Sequence, residues 1–160
     1  MERSKQIGSR FREVLLNGVW IANTNYKDQL SKLTWRQATM RIGTLNTIAA
    51  LTYHINYYLA GIIKVFEGGY LEIHDKYSFD LPTIESAEEW DKLLTSMWDN
   101  AEKFAGHVES MSDRKLEEVF VDEKYGDYQR NIEGVIEHSY YHLGQISLIR
   151  KMIMELEKEI

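Results

Sequence analysis

The stretch TLNTIAALTYHINYYLAGIIKVF, residues 44–66, decides how this chain folds. Its apolar residues recur at three- and four-residue steps, which predicts a helix. They also cover more than one face, so this helix should be the most buried of the fold. Gly68-Gly69 ends it.

Three further segments carry the same period. The first, residues 4–30, spaces Ile7, Phe11, Val14, Leu15, Gly18, Val19, Ala22 and Tyr26 along one stripe. The third opens at Ser86-Ala87-Glu88-Glu89, a capping box in which serine and glutamate satisfy backbone N–H groups with no helical partner. Its stripe of Trp90, Leu94, Met97, Ala101, Phe104, Val108 and Met111 is close to a heptad seam. The fourth, residues 128–158, carries Ile132, Val135, Ile136, Leu143, Ile146, Ile149 and Ile153 on its core side. Between the third and fourth, residues 116–129 have the composition of a short hairpin around Tyr125-Gly126-Asp127.

The expected fold is therefore all-α: one domain, residues 1–160, built as a four-helix bundle. A helix of the length of the second is about 34 Å long. An extended chain needs at least about ten residues to cross that distance. The link at residues 67–85, which holds the only proline, Pro82, is longer than that. The third helix can return to the start level, giving up-down-down-up topology with a long crossover. An up-down-up-down bundle with a long loop fits the same lengths.

Composition narrows function. A formal charge of −6 argues against a nucleic-acid surface, which needs clustered Lys and Arg. No apolar run is long enough to span a membrane. The opening Met-Glu-Arg-Ser-Lys-Gln leads into no apolar signal core, so the default expectation is cytoplasmic. The absence of cysteine excludes disulfides, thiolate metal ligands and a protein thiol nucleophile.

The chemistry lies in IEHSYYHLGQI, residues 136–146. His138 and His142 sit four residues apart and share one helix face. That spacing lets two imidazoles reach one metal. Position 139 is serine, so the glutamate base of HExxH proteases is missing. His54, on the apolar helix 44–66, lies near mid-helix, as do His138 and His142. In an antiparallel pair of neighbours these heights meet. Three imidazoles at one level leave a fourth metal position open, the arrangement of catalytic rather than structural zinc. Nitrogen ligation also suits nickel, iron or copper. Di-iron bundles need Glu-x-x-His pairs, and none of the five histidines has an acidic residue three places before it. His74, in the crossover, and His107, off the apolar seam, are read as surface histidines.

These residues resemble the DinB/YfiT-like superfamily. The resemblance is carried by NTIAALTYHI (46–55), by MSDRKLEEV (111–119), and by HSYYHLGQI (138–146) with its His-x-x-x-His-x-Gly-Gln ending. It covers nearly the whole chain. It implies a four-helix bundle of up-down-down-up topology, a three-histidine metal site usually filled by zinc or nickel, and a homodimer. Carried onto this chain, the metal ligands are His54, His138 and His142. Members of the superfamily with known activity include transferases and isomerases that use a low-molecular-weight thiol.

Three functional readings follow. The first is a metal-dependent enzyme acting on a small-molecule substrate, either a thiol-dependent S-transferase or isomerase, or a hydrolase. In it Gln145, one turn from His142, orients a histidine or a ligand. Tyr58 and Tyr141, one turn from His54 and His138, line the pocket or assist proton transfer. No carboxylate is identified as a base, and Glu137 should point away from the histidines. Gly144 is read as letting helices approach closely. The second reading is a module that binds metal or a small ligand without turnover. The third is a dimeric bundle whose histidines only satisfy backbone groups, with Trp20, Trp35 and Tyr57 available for intersubunit contact.

Overall fold

The computed structural model describes residues 2–159. The described residues form seven α-helices and no β-strand. They are α1 (Arg3–Arg12), α2 (Tyr26–Leu30), α3 (Trp35–Thr39), α4 (Ile48–Phe66), α5 (Ala87–Glu109), α6 (Asp113–Leu116) and α7 (Tyr128–Lys158). None is long and apolar enough to cross a membrane.

The central helix α4 starts at Ile48 rather than at residue 44. Thr47 is its cap: the backbone there is extended, and its hydroxyl accepts from the Ala50 N–H. Ile48, Leu51, Ile55, Leu59, Ile62 and Val65 are all buried, as its two-sided apolar pattern predicts. Gly68 stops the helix at φ +88°, with its N–H on the Val65 carbonyl and that of Gly69 on the Lys64 carbonyl. That pair of bonds is a Schellman ending, which needs a residue free to adopt positive φ.

The first helix is shorter than its stripe suggests. The single element expected over 4–30 ends in a π-turn at Glu13–Asn17, where the Gly18 N–H reaches the Glu13 carbonyl. Gly18 then leaves in an extended conformation. Buried Asn25 fixes the new path by donating to the Gly18 carbonyl, and its side chain caps α2 by accepting from the Asp28 N–H. Val19 and Ala22 of the stripe are exposed in consequence. Tyr26 is buried and donates to the Ser139 carbonyl on α7, 2.7 Å away.

The longer segments pack around one core. α5 lies against both α1 and α4, and α7 against both α4 and α1. On α5, Ser86 accepts from the Glu89 N–H, but the Glu89 carboxylate accepts from Glu85 rather than completing the box at Ser86. The expected seam is buried from Trp90 to Val108, with Met111 partly buried. Between α1 and α5, the Ser4 hydroxyl donates to the Glu109 carbonyl and Arg12 pairs with Glu102 and Glu109. Phe11 stacks on Phe104 with centroids 4.4 Å apart. Between α4 and α5, Asn56 bonds Ser96 and Asn100, and Phe66 meets Phe104 and His107. Phe66 also stacks on Tyr128 at the start of α7.

The hairpin expected at 116–129 is reduced to one antiparallel bridge, Val119 with Asp127, around a 3-10 turn at Glu123–Tyr125. Two backbone bonds flank it, Phe120 N–H to the Gly126 carbonyl and Tyr128 N–H to the Glu118 carbonyl, and the pairing ends where Asp127 caps α7 at Tyr128.

Candidate metal centre

The middle of α4 faces the middle of α7, and there the three histidines meet. His54 Nε2 is 3.1 Å from His138 Nε2, which is 2.9 Å from His142 Nε2. One ring nitrogen from each of the three lies within 4.8 Å of the others. Nitrogen ligands on a tetrahedral zinc stand about 3.3 Å apart, given bonds of about 2.0–2.1 Å. The three imidazoles are thus already near the spacing of one metal's ligand set.

Their protonation points the same way. Gln145 Oε1 lies 2.7 Å from His142 Nδ1. A carbonyl oxygen accepts, so Nδ1 carries the proton and Nε2 of the neutral ring presents a lone pair to its neighbours. His138 Nε2 touches two nitrogens. If it carries a proton, it can donate to only one of them. If it carries none, it meets the bare His142 Nε2 lone pair to lone pair. Hydrogen bonding alone leaves one of the two contacts unsatisfied, whereas a metal ion satisfies all three nitrogens. His54 Nδ1 is buried with no hydrogen-bond partner of ordinary geometry. The Ser78 backbone is its polar neighbour there, and that contact works against the burial-driven lowering of the His54 pKa.

Burial keeps the cluster neutral. His54 and His142 are each 6 % exposed. Burial, followed by repulsion from His142 and His138, lowers the His54 pKa to about 4. Burial and His142 lower that of His138 to about 4. Burial lowers that of His142, against the hydrogen bond that it donates to Gln145. All three are in the lone-pair form at neutral pH, the form that binds metal. The sign for stability follows. Metal-free folded chain stays unprotonated here while unfolded chain takes up protons below about pH 6.5. Stability is complete above that pH and falls as the pH drops towards about 4. Denaturant midpoints of chelator-treated protein should therefore be lower at pH 5 than at pH 7. The difference should shrink in His54→Gln/His138→Gln, which has fewer imidazoles to protonate.

The crossover lays Phe79 and Asp75 beside the site. Phe79 stacks on His54 at 4.1 Å, with the rings 12° from parallel. Tyr58 sets its ring edge-on to both His54 and His138. Its hydroxyl donates to Asp75 Oδ1 over 2.6 Å. Burial and that carboxylate raise the Tyr58 pKa to about 12, so the phenol keeps its proton at neutral pH. Asp75 is the carboxylate near the site that spacing alone could not identify. His74, its neighbour, is exposed and turned to Tyr77. Tyr141 is 64 % exposed, its ring 4.8 Å from that of His142.

Three smaller expectations change or hold. Gly144 is exposed, and a Cβ there would meet nothing within 4 Å, so it brings no helices together. His107 is half-buried against Phe66 and lies 3.4 Å from Glu67 instead of being free in solvent. Glu137 is exposed and pairs with Arg130. A scan of family models and searches of curated proteins and of solved structures return no match to this chain.

Proposed function

We propose that His54, His138 and His142 hold one divalent metal, zinc or nickel, with a fourth position open. On this reading the chain is a metal-dependent enzyme of the kind that its resemblance to the DinB/YfiT-like superfamily implies. It acts on a small-molecule substrate with a low-molecular-weight thiol, as an S-transferase or isomerase. The observation that carries the reading is the meeting of three neutral imidazole nitrogens whose mutual contacts hydrogen bonds cannot all satisfy.

When bound, the metal supplies the positive charge that lowers the pKa of a water or thiol beside it. The chain's own residues set the surroundings. Gln145 holds the His142 ring by its Nδ1–H and fixes its tautomer. Phe79 sets its ring against His54, and Tyr58 sets its ring against His138. Gln145→Leu removes the acceptor while keeping the bulk, and should weaken metal binding about 10–100-fold, read by chelator competition.

A metal-dependent hydrolase is the second reading. Asp75 favours it, because through Tyr58 it offers a proton acceptor close to the site. The same reading of the fold makes the bundle up-down-down-up. In its support, paired positions rise together along α4 and α5 (Asn56 with Ser96, Phe66 with His107). They run oppositely along α1 and α5 (Ser4 with Glu109, Phe11 with Phe104) and along α4 and α7 (His54 with His138, Phe66 with Tyr128). A homodimer belongs to this reading too, with Trp20, 69 % exposed, available at its surface.

The activity test is a screen of metal-loaded protein for adduct formation between physiological small thiols and electrophiles, with and without chelator. Chelator-sensitive adduct formation is expected. Metal-bound protein that is inert across the panel would leave the non-catalytic binder as the better account.

A further inference from the structure

A cleft lies beside His138, and its lining differs in charge from the rest of the chain. It consists of two adjoining cavities, of about 530 and 420 Å³, that share Tyr58, Tyr125 and Asn131. His138 lines the smaller of the two, so the cleft reaches the edge of the metal centre. Lys76, Lys124 and Arg130 line the two cavities with one carboxylate, Asp75, which already accepts from Tyr58; at the edge Glu137 pairs with Arg130 and Asp122 lies 3.8 Å from Lys124. This cationic lining belongs to a chain of formal charge −6.

One strip of α7 connects the charge to the metal ligands. Arg130, Gly134 and His138 follow each other at four-residue steps and share a face. The Arg130 side chain reaches along this face. A Cβ on Gly134 would stand 3.8 Å from its Nη1, and Nη1 donates to Glu137 over 3.1 Å. That pairing leaves other guanidinium N–H groups for a ligand. Gly134 lines the smaller cavity together with Arg130 and His138. Glycine inside a helix is destabilising. Here no backbone contact requires it, because the Arg130 tip is all a Cβ would meet within 4 Å. Its effect is to leave the strip bare.

We infer that this strip is the binding site for the anionic end of the small thiol or substrate: an oxyanion held by Arg130, with Lys124 beside it, about one helical turn (about 5.4 Å) from the histidine that holds the metal. The inference rests on the metal-centre reading above. A planar guanidinium suits a carboxylate or a phosphate, and the bare glycine lets the ligand lie flat between the two anchors.

The test is calorimetry on the zinc-loaded full chain with two three-carbon thiols, 3-mercaptopropionate and the uncharged 3-mercapto-1-propanol. The acid should bind about tenfold more tightly than the alcohol. Arg130→Gln should abolish that preference and leave the alcohol's affinity unchanged. Gly134→Leu should weaken both thiols, while Gly134→Ala, whose Cβ fits, should keep the preference and melt no lower than wild type. If Gly134→Leu fails to fold, the Arg130→Gln comparison decides alone. Equal binding of acid and alcohol, or a preference that survives Arg130→Gln, overturns the inference and leaves the metal reading standing. Failure of wild-type protein to take up either zinc or nickel overturns both.

Discussion

Replacing His54 and His142 together by alanine is expected to reduce bound divalent metal from close to one per chain to below about a tenth. Each contributes one nitrogen to a three-nitrogen set, and from opposite helices. With both gone, His138 alone remains, half-exposed beside the cleft. One imidazole does not hold zinc against water and buffer. Metal analysis of untagged protein, reloaded and desalted, reads the result. His74→Ala is the matched control: that residue is exposed, and its variant should keep full metal. Full occupancy in the double variant would sink the three-histidine centre. The substitutions should not unfold the chain, because they relieve the crowding of three nitrogens at 2.9 and 3.1 Å.

The largest expected effect on stability is at Phe104. Its ring is fully buried, stacks on Phe11 of α1 at 4.4 Å and meets Phe66 of α4 at 5.2 Å. It therefore joins three of the four long segments. Phe104→Ala should cost about 3–5 kcal/mol, the sum of lost transfer free energy and the cavity left behind. Denaturant unfolding of metal-loaded and metal-free protein would measure it, with equal losses expected in both, because the ring is far along α5 from the histidines. A loss below about 1 kcal/mol would mean that the α1–α5 contact is not part of the core.

Much of this was legible in residue spacing, and the failures have physical causes. The buried face of α7 was read correctly from Ile132 to Ile153, since a helix docked on a core shows its period directly. The convergence of His54 with His138 and His142 followed from their heights on α4 and α7. The end of α1 was misread because Val19, Ala22 and Tyr26 continue the apolar stripe past the point where Asn17-Gly18 breaks it. Only Tyr26 of the three is buried, and it arrives on a separate helix. Asp75 and Phe79 could not be found from spacing. They lie in the crossover, where no helical period ties sequence position to direction. A short turn at Asp75–Tyr77 decides that Asp75, and not His74, meets Tyr58. Gly144 was given a packing role that its open surroundings deny, while the glycine with a consequence for the cleft is Gly134.

The most direct test is a zinc-soaked crystal measured on either side of the zinc absorption edge. The account predicts one anomalous peak, about 2.0–2.1 Å from Nε2 of His54, His138 and His142, with its remaining position facing the cleft beside Tyr58. A zinc-saturated crystal with no peak among these three nitrogens, or with its peak on other residues, would contradict it.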